Sequence, residues 1–182
     1  VIEHNGERTA MDSNDYISRL TTDPIPKELA FTEAEYRARV ARVRELMSEA
    51  GLDALLVHNL PNLCYLTGYQ TFASGYYACL LLPLEGEPMM QVAEMELPGV
   101  FLTGWVKNVL TFKHFQSGQA IEQMVEALGD RSLDEKNIGI EMSIPGNSHL
   151  LYRSFEELLP GARLIDASRL VFQTRLIKSP AE

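Results

Sequence analysis

Apolar residues recur along the chain at two spacings, one helical and one extended, and their alternation sets the fold class. From residue 31 the order is helical: Tyr36, Val40, Val43 and Met47 fall at intervals of four, three and four on one face. Thr32 followed by Glu35 is a capping box, Phe31 and Tyr36 occupy the two positions of a hydrophobic staple, and Gly51 closes the helix. The opposite face carries Arg37, Arg39, Arg42, Arg44 and Glu45; interspersed with Glu33, Glu35 and Glu49, it reads as a solvated, mixed-charge surface.

Extended runs come next. Residues 53–58 read as a buried strand, and 77–82 and 88–93 as a β-hairpin joined by Pro83-Leu84-Glu85-Gly86-Glu87. Between them, 60–69 moves from a Pro-Asn turn into a short strand ending at Gly68. Residues 106–112 are strand-like. Ser117 caps a helix whose apolar face is Ile121, Met124, Val125 and Leu128, closed by Gly129. A short strand at 137–141, a helix at about 147–159 presenting Leu151, Phe155, Leu158 and Leu159, and a strand at 163–166 complete the pattern. Residues 171–177 fit either a helix or a strand. The expectation is an α/β domain: a mixed β-sheet flanked by helices. Residues 1–30 are polar and weakly patterned and read as an extended arm. At the other end, Ser179-Pro180-Ala181-Glu182 reads as a helix opening, with Ser as N-cap and Pro in the first turn, whose body lies further on.

Composition narrows the function classes. A formal net charge of -9 without a basic cluster argues against nucleic acid or an anionic membrane as partner. No apolar run reaches the roughly 20 residues that span a bilayer. The first residues have neither the basic nor the apolar region of a secretory signal. Cys64 and Cys79 sit in apolar surroundings without CxxC spacing and read as small buried hydrophobes, so the expected setting is the reducing cytoplasm.

The search for self-contained catalysis is empty. His4, His58, His114 and His149 are scattered; His58 and His149 read as polar element termini rather than metal ligands. No P-loop, GxGxxG or GxSxG is present, and Ser74-Gly75 lacks the flanking glycine of a nucleophile elbow. Glu94, Glu96 and Glu141 read as solvated strand ends. The distinctive chemistry is aromatic: Tyr69, Phe72, Tyr76 and Tyr77 crowd a loop containing Gly75. Such rings form a core or an interface more often than a ligand wall.

Four stretches together resemble the creatinase/prolidase N-terminal domain. Glu35-Tyr36-Arg37-Ala38-Arg39 followed by Gly51-Leu52-Asp53-Ala54-Leu55-Leu56-Val57 is similar to its start. Asn62-Leu63-Cys64-Tyr65-Leu66-Thr67-Gly68-Tyr69 resembles its Asn-x-x-Tyr-x-Thr-Gly signature. Ile138-Gly139-Ile140-Glu141 and Arg175-Leu176-Ile177-Lys178-Ser179-Pro180-Ala181-Glu182 are similar to its third landmark and to its junction with a catalytic domain. The resemblance implies a ribonuclease H-like N-terminal domain over 31–174, with 175–182 leading into a pita-bread hydrolase domain absent here.

In that family the second domain cleaves C–N bonds in dipeptides or small molecules. Its peptidase members hold two divalent metals there; its creatinase-type members use histidine chemistry without metal. The resemblance therefore implies no catalytic residue, no metal ligand and no cofactor in this chain. It implies a homodimer whose loop reaches the partner's active site, which makes Tyr69, Phe72, Ser74 and Tyr76 substrate-pocket residues in trans. Creatinase places a Phe and an Arg two apart in this loop, where Ser74 and Tyr76 stand here. Tyrosine lacks the guanidinium fork that grips a carboxylate, which argues against creatine and leaves another small amide, amidine or dipeptide. A stand-alone binding or assembly module without catalysis is the alternative expectation.

Overall fold

The computed structural model describes residues 27–72, 75–113, 117–142 and 148–182, with Ser18 and Thr22. The expected arm over residues 1–30 lies almost entirely outside the described residues. Its last residues touch the domain: the Glu28 amide donates to the Leu102 carbonyl and Lys27 Nζ to the Gly104 carbonyl, both at 2.7 Å.

Helix α1, Glu33–Glu49, begins and ends as its sequence dictates. Thr32 Oγ1 accepts the Glu35 amide at 3.2 Å, and Phe31 packs edge-on against Tyr36 with ring centroids 6.0 Å apart. At the far end the amides of Gly51 and Leu52 return to the carbonyls of Ser48 and Met47, a Schellman closure. Then come β1 (Ala54–Val57), α2 (Leu60–Thr67), β2 (Ala78–Pro83), β3 (Met89–Ala93), a 3-10 turn (Glu94–Glu96), α3 (Leu97–Thr103) and β4 (Asn108–Phe112). Helix α4 (Ser117–Gly129), β5 (Asn137–Ile140), α5 (Ser148–Leu158), β6 (Arg163–Asp166) and α6 (Leu170–Leu176) complete the chain.

The strands form one mixed sheet in the order β4-β3-β2-β1-β5-β6. Strand β2 runs antiparallel to both neighbours, including the expected hairpin partner β3, and the other pairs are parallel. Alternation along the strands splits the core into two layers. Leu55, Val57, Leu80 and Leu82 face α1, α2, α3 and α6, whereas Ala54, Leu56, Cys79 and Leu81 face α4 and α5. Because β2 alone is reversed, its start lies at the same sheet edge as the C-terminal ends of the other strands. The aromatic loop between α2 and β2 is thereby placed at that edge.

Three expectations are corrected. Residues 60–67 form a helix, not a strand. Pro61 suits the first turn, where its missing N–H has no partner to lose, and Gly68 closes the helix in the left-handed region at φ 81°. So short an apolar run carries no decisive period. Glu141 is not a solvated strand end: it is 2% exposed. Arg39, expected on the solvated face of α1, is also 2% exposed. Helix α3 has no counterpart in the sequence pattern, because Pro98 and Gly99 read as breakers; Pro98 sits in the tolerated first turn. Residues 170–176 resolve the open alternative as a helix.

Candidate functional site

The loop leaving α2 at Gly68 holds the expected pocket residues, and the structure divides them. Tyr69 is 1% exposed and is the loop's anchor rather than an open wall. Its hydroxyl donates to Glu96 Oε2 at 2.8 Å, and burial together with that acceptor holds the phenol well above its ordinary pKa, fixing it as a donor. Phe72 is 103% exposed and Tyr76 45%. Ser74 lies outside the described residues. The structure thus brings an anchored base and two exposed rings onto one loop.

The base is built by Thr67 and Gly68. The buried Thr67 hydroxyl donates to the Leu63 carbonyl at 2.7 Å and accepts the Tyr69 amide at 3.1 Å. Gly68 allows the close approach of two helices: a Cβ there would stand 2.6 Å from the Thr103 carbonyl and 2.9 Å from the Tyr36 hydroxyl. Thr103 Oγ1 accepts the Gln70 amide at 3.0 Å, and Trp105 Nε1 donates to the Leu66 carbonyl at 2.8 Å. Helix α3, invisible in the sequence pattern, together with the residues flanking it therefore forms part of the loop's foundation.

A buried polar network lies behind this base. Glu141, at the end of β5, accepts the amides of His58 and Asn59 on Oε2 at 2.7 Å each, and accepts Asn62 Nδ2 on Oε1. The carboxylate thereby caps the N-terminus of α2, whose own N-cap residue Asn59 makes no side-chain cap bond. Asn62 Oδ1 accepts Arg175 Nη1 from α6 at 2.8 Å. Burial outweighs these donors and the nearby Arg175, so the Glu141 pKa is raised. The preceding Gly139 has no room for a side chain: a Cβ would lie 2.8 Å from Leu52 and 2.9 Å from Ala167.

Arg39 holds a second network. Its guanidinium lies over the rings of Phe31 at 4.2 Å and Tyr65 at 4.6 Å. Nε donates to Glu35 Oε1 at 3.1 Å and Nη1 to the Tyr65 carbonyl at 3.0 Å. The Tyr65 hydroxyl accepts Arg42 Nη2 at 3.2 Å. Sequence reasoning missed these roles because an Arg on a charged helix and a Glu after a strand look solvated one at a time. The usable signal was the co-occurrence of the four landmark stretches, whose residues meet here.

Among the described residues neither cysteine is poised as a nucleophile. Cys79 is buried and its thiol pKa is pushed up by burial; the half-buried Cys64 shifts the same way for the same reason. His58 sits between the rings of Tyr77 and Phe155, at 5.5 and 6.1 Å, and burial lowers its pKa to about 4. Among the described residues no three His, Cys, Asp or Glu side chains gather as a metal-ligand set. His4, His114 and the side chain of His149 lie outside the described residues. No helix among the described residues is long and apolar enough to cross a membrane.

The landmarks and the mixed sheet agree with a comparison against known proteins. The profile described as Creatinase/Prolidase N-terminal domain matches residues 39–177. The chain belongs to the creatinase/prolidase family. It is 34% identical over 165 residues to the ectoine hydrolase of Halomonas elongata, covering 87% of this chain and 41% of that protein. Among solved structures, the dipeptidase PepE from Mycobacterium ulcerans superposes with a TM-score of 0.64 at 23% identity, covering 84% of this chain and 39% of that one. An Xaa-Pro aminopeptidase chain from Streptococcus pyogenes gives 0.64 at 21% identity, covering 79% of this chain and 100% of that chain. These two likenesses establish the shared fold. This creatinase/prolidase domain spans about two-fifths of the length of the curated relatives it matches. Within it, the residues of the Asn-x-x-Tyr-x-Thr-Gly signature hold the loop's base and the polar networks in place.

Proposed function

We propose that this chain is the non-catalytic N-terminal domain of a hydrolase that cleaves a C–N bond in a small amide or amidine, or in a dipeptide. It serves dimerisation and shapes the partner subunit's substrate pocket. The carrying observation is the pairing of a rigid base with exposed rings: Tyr69 pinned to Glu96, and Phe72 and Tyr76 projecting from the same loop. Aromatic surface left in water by a monomer marks a contact with something else. Against a substrate, such rings exclude water and fix orientation while a second domain breaks the bond. That domain would supply any divalent metal. The name of the ectoine hydrolase, 34% identical, favours a small molecule over a peptide.

The test uses the protein with its catalytic domain restored. Phe72→Ala and Tyr76→Ala should each shift the ratio of kcat/KM between a small cyclic substrate and an Xaa-Pro dipeptide by about tenfold, the scale of 1.4 kcal/mol of pocket contact. Unchanged ratios in a dimer that sediments like the parent would sink the wall assignment. A chain that ends without a catalytic domain would point to the binding-module alternative.

A further inference from the structure

We propose that Arg39 is a positioning residue that fixes the direction in which the chain leaves the domain, through a clasp closed on residues 179–182. Its role in orienting the catalytic domain rests on the function proposed above; the clasp itself does not.

The geometry is specific. Glu35 Oε1, which accepts Arg39 Nε at 3.1 Å, also accepts the Ser179 hydroxyl at 2.7 Å, across 144 positions of sequence. Residues 179–182 form a closed turn: Glu182 Oε2 accepts the Ser179 amide at 3.0 Å, and the Glu182 amide donates to the Ser179 carbonyl at 3.1 Å. Glu182 Oε1 faces Arg39 Nη2 at 4.0 Å, and Nη2 is a buried nitrogen with no hydrogen-bond partner among the described residues. One guanidinium, clamped between aromatic rings, thus stands between two carboxylates, one from the first turn of α1 and one from the exit segment.

Two physical consequences make this a clasp and not incidental packing. An exit segment preceded by the exposed Leu176 and Ile177 buries too little apolar surface to order itself against its conformational entropy, so polar links must hold it. Removing Arg39 would also take away the cation that the carboxylates of Glu35 and Glu182 share, leaving Arg42 as the remaining positive charge of α1 beside Glu35, which loosens the segment. Lysine cannot replace the arginine, because a point charge on a flexible stem neither stacks flat between rings nor reaches both carboxylates. In the proposed hydrolase, the clasp sets the angle between the aromatic loop and the domain that carries the chemistry.

Trypsin supplies a local readout, since the Lys178–Ser179 bond lies within the segment. In the 182-residue chain, cleavage at that bond, monitored by mass spectrometry, should accelerate at least about tenfold in Arg39→Met, the factor that 1.4 kcal/mol of lost ordering gives. It should accelerate several-fold in Glu182→Gln and Ser179→Ala, both of which leave the core untouched. The double variant R39M/E182Q should match R39M alone, because both disable one device. If R39M does not fold, the two exit-segment variants decide. Unchanged cleavage in E182Q and S179A, or additive effects in the double variant, overturns the clasp whatever the fate of the functional reading. With the catalytic domain restored, Arg39→Lys should raise KM several-fold with kcat unchanged. A clasp that opens in the short chain while both constants stay fixed overturns the positioning role alone.

Discussion

Glu141 shows how much one buried carboxylate can organise. It takes three donors from the turn and first residues of α2, using both oxygens. Glu141→Gln keeps the shape but turns one oxygen into an amide that confronts a donor. An unsatisfied buried donor costs about 1–3 kcal/mol, so the expected result is a lower unfolding midpoint in urea with an unchanged slope. Gly68→Ala meets two penalties: a left-handed backbone, which costs about 1–2 kcal/mol for a residue with a Cβ, and a 2.6 Å clash with the Thr103 carbonyl. The loss should exceed the backbone figure alone, read by the same titration. Neither residue announces this in the sequence. A glutamate after an apolar strand is usually solvated, and only the donors brought from 79 to 83 positions away make Glu141 a buried cap.

Among the elements, the loop base is the most informative. Tyr69→Phe removes the bond to Glu96, and a neutral partner's bond to a carboxylate is worth roughly 1.5–3 kcal/mol. The expected outcome is faster amide exchange across 68–72 and through α3, with the strands unaffected. The periodic elements were legible because their signals are redundant: α1 has a cap, a staple, a four-residue stripe and a closing glycine, all in agreement. The strands β2 and β3 were legible from apolar runs flanking a Pro-Gly connection. Helices α2 and α3 were not, since each is short and opens on a proline that elsewhere breaks helices. The loop was marked by its aromatic crowding, but which ring is buried depends on α3 and could not be read from the loop itself.

For the molecule as a whole, the Glu35 clasp links stability to pH. Glu35 has its pKa lowered below the ordinary 4.5, first by the Ser179 hydroxyl and then by Arg39 and Arg42, the charged groups of α1 that face it. Glu182 stands opposite from the exit segment. A depressed carboxylate contributes stability above its unfolded pKa and loses it as pH falls through the folded value. Opening of residues 179–182 should therefore quicken as the pH falls below the ordinary carboxylate range, ahead of any change in the core, which amide exchange would detect. Family membership and layer order were legible because landmarks and alternation extend over the chain; their convergence was not, because contacts between distant positions leave no local trace.

The link from Asn62 to Arg175, bridging 113 positions, carries a practical corollary. The signature helix α2, the strand end at Glu141 and the terminal helix α6 share one charge balance. Trimming the chain from its C-terminal side past Arg175 would remove the cation that draws the Glu141 pKa down, and the carboxylate would then take up a proton more readily. Anyone excising this domain, grafting it, or swapping it between relatives should treat α6 as belonging to it and place the cut after the guanidinium, not at the end of the sheet.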